Sequence, residues 1–141
     1  MKSEFCSLPI MLIHDESTVL ESVPYLRDNV GCLVQAQDES CIMINVDNVL
    51  KTIKEVDEFK SKNIDSFINY IDAHESVHYL EGHSESNDEL ELMTDVYATC
   101  LCELKHLDEA AEIGLYKLMS KHQDEYDIPT LLQECKSNLT K

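Results

Sequence analysis

Two different spacings of apolar residues divide the chain. Up to about residue 46 the apolar positions come in short runs, Leu8 to His14, Cys32 to Gln37 and Cys41 to Val46, each bounded by polar residues or glycine. Runs of this length and composition are the signature of strands. Pro9 has no N–H to give to a ladder, so the first run is expected to lie at a sheet edge or to begin at the proline. Gln37-Asp38-Glu39-Ser40 is placed to turn a hairpin between the second run and the third. Between the first two, Thr18 to Asn29 reads as a short helix with a Thr18/Glu21 capping box, broken or bent near Pro24.

From Asp47 onward the apolar spacing becomes three and four, the period of a helix. Asp47 can cap a helix whose stripe is Val49, Leu50, Ile53 and Val56 and which ends in the charged segment 58–63. A second helix begins near Ile64, carries Ile64, Phe67, Ile68 and Ile71 on one side, runs into His74, Glu75 and His78, and stops at Gly82. A third spans about Glu89 to Lys105, and a fourth runs from Leu107 to His122 with Asp108 as a cap. A short last helix follows Asp127, with Pro129 suited to its first turn. Strands gathered first and helices afterwards predict an α+β fold: a small N-terminal β-sheet packed on a helical C-terminal half, not a parallel βαβ alternation. One domain over residues 1–141 is the expectation at this length.

Charge narrows the function classes. With 28 acidic and 11 basic residues the formal net charge is −17, and Arg27 is the only arginine. No basic footprint exists for a phosphate backbone, which excludes ordinary nucleic-acid binding and disfavours anionic membrane surfaces. No apolar run is long enough to span a bilayer, and the start of the chain is too acidic, with too short an apolar core, for a secretory signal. Six cysteines without a CxxC pair read as free thiols in a reducing compartment, so a cytoplasmic location is expected. Cys100 and Cys102, two apart on a helix, diverge by about 200° and cannot form a joint metal pair.

The chemistry concentrates in residues 74–98. His74-Glu75-Ser76-Val77-His78 is an HExxH sequence. On a helix the two imidazoles stand one above the other and can meet a single ion, while Glu75 is rotated about 100° from His74. That offset suits a carboxylate that holds a water beside the ion and takes its proton. Zinc is the expected ion, because it would bring that water's pKa towards neutrality and polarise a carbonyl. A third ligand is needed. His83 misses the register of a glycine-turn histidine site, in which position 81 would be glycine and 84 histidine. Glu91 is the better candidate, with Glu85, Asp88 and Glu89 near enough to compete. Asp95, four residues after Glu91, can accept a hydrogen bond from the outer nitrogen of a ligand histidine. Small Ala98 continues that face, and Ile68, Ile71, Leu101 and Leu104 are expected to seat the site on the core. His83, Tyr79 and Tyr97 are candidate donors to a substrate, but a tyrosine on an amphipathic helix more often packs, and none of the three is singled out.

HESVH followed by ELMTDVYA resembles the HExxH plus ExxxD arrangement of gluzincin metallopeptidases, particularly the very small minigluzincins and the antirepressor-type peptidases that cut phage repressors. The resemblance covers about residues 64–105. It implies a zincin-like fold in which His74, His78 and Glu91 bind zinc, Glu75 is the general base and Asp95 orients a ligand. The chain departs from those families in the short interval between His78 and Glu91, in Val77 where glycine is frequent, and in Thr94 where alanine is common. The expected activity is hydrolysis of a peptide bond in a peptide or protein substrate, with an exposed sheet edge pairing with an extended chain. The rival readings are a zinc-stapled interaction module without catalysis, and an acidic structural protein with a chance HExxH.

Overall fold

The computed structural model describes residues 1–35, 38–82 and 87–141. The fold is α+β. Three short strands, β1 (Ile10–Ile13), β2 (Gly31–Gln35) and β3 (Ser40–Asn45), form one sheet in the order β1-β3-β2. The helices are α1 (Val19–Ser22), α2 (Val46–Glu55), α3 (Ile64–Leu80), α4 (Asp88–Leu104), α5 (Asp108–His122) and α6 (Ile128–Leu139).

β2 and β3 are the arms of an antiparallel hairpin, with Gly31 opposite Ile44 and Gln35 opposite Ser40. The turn residue Gln37 lies outside the described residues. β1 starts immediately after Pro9 at a sheet edge, as its missing N–H requires, and the Pro9 carbonyl accepts a 3.0 Å bond from Ile42 N–H. One pairing departs from the expected segregation: β1 runs parallel to β3. The segment holding α1, a 3-10 turn at Pro24–Arg27 and β2 is long enough to make that crossover.

The strands alternate in and out with a period of two. Ile10, Ile42, Ile44 and Leu33 join the main core beneath α3, whereas Ile13, Met43, Cys32 and Val34 pack with Leu20 and Leu26 on the other face. Gly31 is where β2 crosses α3. A Cβ there would lie 2.5 Å from Ile71 Cγ2, so only glycine permits the approach.

Several helix boundaries differ from the sequence expectation. Asn45, not Asp47, opens α2, its side chain accepting from Asn48 N–H at 3.2 Å. The Asp47 carboxylate instead accepts from Asp15 N–H at 2.7 Å. Thr18 precedes α1 but makes no side-chain cap, so no capping box forms. The chain does break at Pro24, where the 3-10 turn begins. Leu107 precedes α5, leaving Asp108 inside the first turn. Leu50 points to solvent, and α2 ends at Glu55, before a second 3-10 turn at Asp57–Phe59. That turn inserts Phe59 edge-on against Phe67 and Tyr116, with ring centroids 4.8 and 4.9 Å apart.

Asn63 caps α3, Asn87 caps α4 and Asp127 caps α6, with Pro129 in the first turn of the last. Gly82 follows α3 with φ +67°, the left-handed conformation that ends a helix. α4 divides its apolar residues between two cores. Ala98 and Cys102 pack towards α3, while Leu92, Val96 and Cys100 meet Ile128 and Leu132 of α6. The six cysteines are free thiols. Among the described residues no helix is long and apolar enough to cross a membrane.

Candidate metal centre

α3 places His74 and His78 on one face, four residues apart, and α4 brings Glu91 against them. His74 Nε2 lies 3.2 Å from His78 Nε2 and 3.2 Å from Glu91 Oε2, and His78 Nε2 lies 3.2 Å from Glu91 Oε1. A tetrahedral ion with bonds of about 2.0–2.1 Å holds its ligand atoms about 3.3 Å apart. The three donors therefore already occupy one face of such a tetrahedron. Two borderline nitrogen donors and one carboxylate match the donor set of a hydrolytic zinc site. Among the described residues, His74, His78 and Glu91 are the group whose ligand atoms can share a cation. The competing Asp88 and Glu89 are exposed to solvent, and His83 and Glu85 lie outside the described residues.

Asp95, one helical turn beyond Glu91, is 2% exposed and organises the centre from behind. Its Oδ1 accepts from His74 Nδ1 at 2.8 Å, from Tyr70 Oη–H at 2.6 Å and from Lys117 Nζ at 3.2 Å. With Nδ1 held by Asp95, Nε2 of His74 faces Glu91 and His78. Burial opposes charge on Asp95, yet the hydrogen bond from His74 and the Lys117 ammonium outweigh it and hold the carboxyl well below the usual carboxylate range. Burial likewise disfavours charge on His74, but its bonds to Asp95 and Glu91 prevail and push it up to about 9.

Glu75 is buried at 8% exposure. Burial lifts its carboxyl above the ordinary glutamate range, with the His74 charge pulling the other way and Glu91 adding to the rise. It faces a cleft of about 1160 Å³ shared with His74, His78 and Glu91. Residues 29–35, which include β2, border this cleft, as do Ile113, Tyr116 and Lys117 of α5, with Phe59 and Phe67 as an apolar recess.

The seat beneath the site is only partly the one expected. Ile68 and Ile71 are buried and Leu101 packs on the core, but Leu104 is exposed. Of the tyrosines weighed as donors or as packing, Tyr79 and Tyr97 do not line the cleft, and Tyr97 packs against the main core. Among the polar groups that do line it, Tyr25 and Lys117 come from elements far away in sequence. Lys117 owes its place to Gly114, one turn earlier. A Cβ at 114 would meet Thr99 Oγ1 at 2.2 Å and Tyr70 Cε2 at 2.7 Å, so α5 can approach α3 and α4 this closely only without one. A glycine inside an otherwise regular helical segment was the available signal.

Comparison of the chain with protein-family models, with curated proteins and with solved structures finds no match.

Proposed function

We propose that this protein is a zinc metallopeptidase of the gluzincin type, with a zincin-like fold, that hydrolyses peptide bonds in an extended substrate. The observation that carries the reading is the triangle of 3.2 Å separations between His74, His78 and Glu91, open to a cleft that also holds Glu75. His74, His78 and Glu91 are the ligands and Asp95 the residue that orients His74. Zinc held by these three supplies Lewis acidity, making water a better nucleophile and a carbonyl a better electrophile. Glu75 takes the proton of the attacking water on its carboxylate and passes it to the departing amine nitrogen. A buried carboxyl with a raised proton affinity is suited to both halves of that transfer.

The sheet supports a peptide as the substrate. β2 is an edge strand beside the cleft. Val30 turns its carbonyl inward to Asn45 N–H at 2.8 Å. By the alternation of an antiparallel ladder, the main-chain groups of Gly31, Leu33 and Gln35 then point away from β3. An extended peptide can add to that edge, with affinity from the backbone and selectivity from the apolar recess.

The test pairs metal analysis with a Glu75→Gln variant, assayed on a library of unstructured peptides. The wild type is expected to hold one zinc and to cleave. Glu75→Gln is expected to keep the zinc and to lose about 10²–10⁴ in rate, the span of a general base. A wild type that takes up no zinc, or a Gln variant that cleaves equally well, overturns the reading.

A further inference from the structure

We propose that Lys117 is a positioning residue that acts through Asp95: its ammonium competes for the oxygen that holds His74, so that the centre grips zinc less tightly and leaves the bound ion more electrophilic. The proposal rests on the metallopeptidase reading and adds to it a control on how strongly the ligands hold the metal.

Three donors converge on a single oxygen of Asp95, Oδ1: Tyr70 Oη–H at 2.6 Å, His74 Nδ1 at 2.8 Å and Lys117 Nζ at 3.2 Å. A carboxylate oxygen offers two lone pairs, so three donors share what two would fill. Lys117 brings a full positive charge to that contest, and charge-assisted hydrogen bonds are the stronger kind. The electron density it withdraws is lost to the bond with His74 Nδ1. That bond is what raises the basicity of a ligand imidazole, so His74 Nε2 becomes a weaker donor to a metal on the far side of the ring. The ammonium also repels the ion directly. The path from Nζ through Oδ1 and the imidazole to a metal beyond Nε2 is about 10 Å long. Asp95 and His74 are mostly shielded from water, and screening across such a path is weak.

A plain structural ion pair does not account for this placement, because Tyr70 and His74 already satisfy the oxygen. The Lys117 side chain is 33% exposed, so solvent is within its reach, yet Nζ turns inward and also lies 5.6 Å from the centroid of the Tyr70 ring. Lys121, one turn later on α5, is exposed. The helix comes this close only because Gly114 has no Cβ to strike Thr99 and Tyr70. Those are the two residues that fix Asp95 from either end, Thr99 Oγ1–H donating to its carbonyl at 2.7 Å and Tyr70 to its carboxylate. Glycine, threonine, tyrosine and lysine thus form one arrangement around a single carboxylate behind the metal ligands.

The experiment compares wild type with Lys117→Met and Lys117→Gln, which remove the charge, and with Lys117→Arg, which keeps it. Three quantities are read: the zinc Kd by competition with a chromophoric chelator, the NMR shift of the His74 Nδ1 proton in the zinc-loaded protein, and kcat and KM on a cleaved peptide. Both uncharged variants are expected to bind zinc about 10-fold more tightly, the scale on which outer partners of a ligand act. Their Nδ1 proton should move downfield as its bond to Asp95 strengthens, and kcat should fall about 10-fold with KM held within about twofold. Lys117→Arg should stay within about twofold of wild type in zinc affinity. Unchanged or weaker zinc binding in folded Lys117→Met and Lys117→Gln overturns the proposal and leaves the metallopeptidase reading intact, since it describes a lysine that only props Asp95 in place. Tighter zinc without a downfield Nδ1 proton also overturns it, because the action would not pass through Asp95. A wild type that binds zinc but cleaves no peptide removes the metallopeptidase reading, while the zinc and proton measurements still decide the role of Lys117.

Discussion

Replacing Gly114 by alanine reverses the sign that helix propensity alone would give. In an open helix the change stabilises by about 0.8–1 kcal/mol. Here the new methyl would sit 2.2 Å from Thr99 Oγ1, 2.7 Å from Tyr70 Cε2 and 3.2 Å from Thr99 Cβ. Neither neighbour can retreat. Thr99 is fully buried with its hydroxyl bonded to the Asp95 carbonyl at 2.7 Å, and Tyr70 is pinned through its own hydroxyl to the Asp95 carboxylate at 2.6 Å. Overpacking a rigid core costs about 1–3 kcal/mol, and two immovable contacts place this site towards the upper end. Subtracting the propensity gain leaves a net loss of about 1–2 kcal/mol, or roughly 3–8 °C in Tm for a domain of this size. Thermal unfolding followed by circular dichroism measures it. A second variant, Thr99→Ala on the Gly114→Ala background, removes the nearest atom and should recover part of the loss, with a coupling of at least about 0.5 kcal/mol. A Gly114→Ala protein that melts at or above the wild-type temperature refutes the close approach of α5.

Two further outcomes concern the metal centre. Zinc at about 100 times its Kd should stabilise the protein by about 2.7 kcal/mol, a rise of roughly 8–10 °C in Tm that a chelator reverses. His78→Ala should abolish that rise, and a zinc-dependent shift that survives in the variant would place the ion elsewhere. Asp95→Asn removes the negative charge that draws three donors, from Tyr70, His74 and Lys117, onto one oxygen. Zinc affinity, measured by competition with a chromophoric chelator, should fall about 10–100-fold, and an unchanged affinity would deny Asp95 its orienting role.

The legible and illegible parts of the site divide by the range of the interactions that build them. His74 and His78 share a face because the helix puts residues four apart together, so their pairing is a local property. Glu91 and Asp95 repeat that spacing on α4, and both meet α3 as their sequence pattern suggested. The α+β class was legible for the same reason, since strand and helix periods differ within a few residues. The caps were less so: Asn45 and Asp47 are both good capping residues, and the choice fell to Asn45 when the Asp47 carboxylate was taken by the backbone of Asp15.

The amino-acid order by itself therefore determined most of the elements and the shared face of His74 and His78, because both arise from contacts within one or two turns of chain. It could not show that β1 pairs in parallel with β3, that Gly31 and Gly114 are points of close approach, or that Tyr25 and Lys117 reach the cleft holding Glu75. Those features depend on where separate elements come to rest. That is set by the packing of the whole core: the free energy of burying Ile71, Tyr70 and Thr99 against their neighbours selects one arrangement, and no local period encodes it.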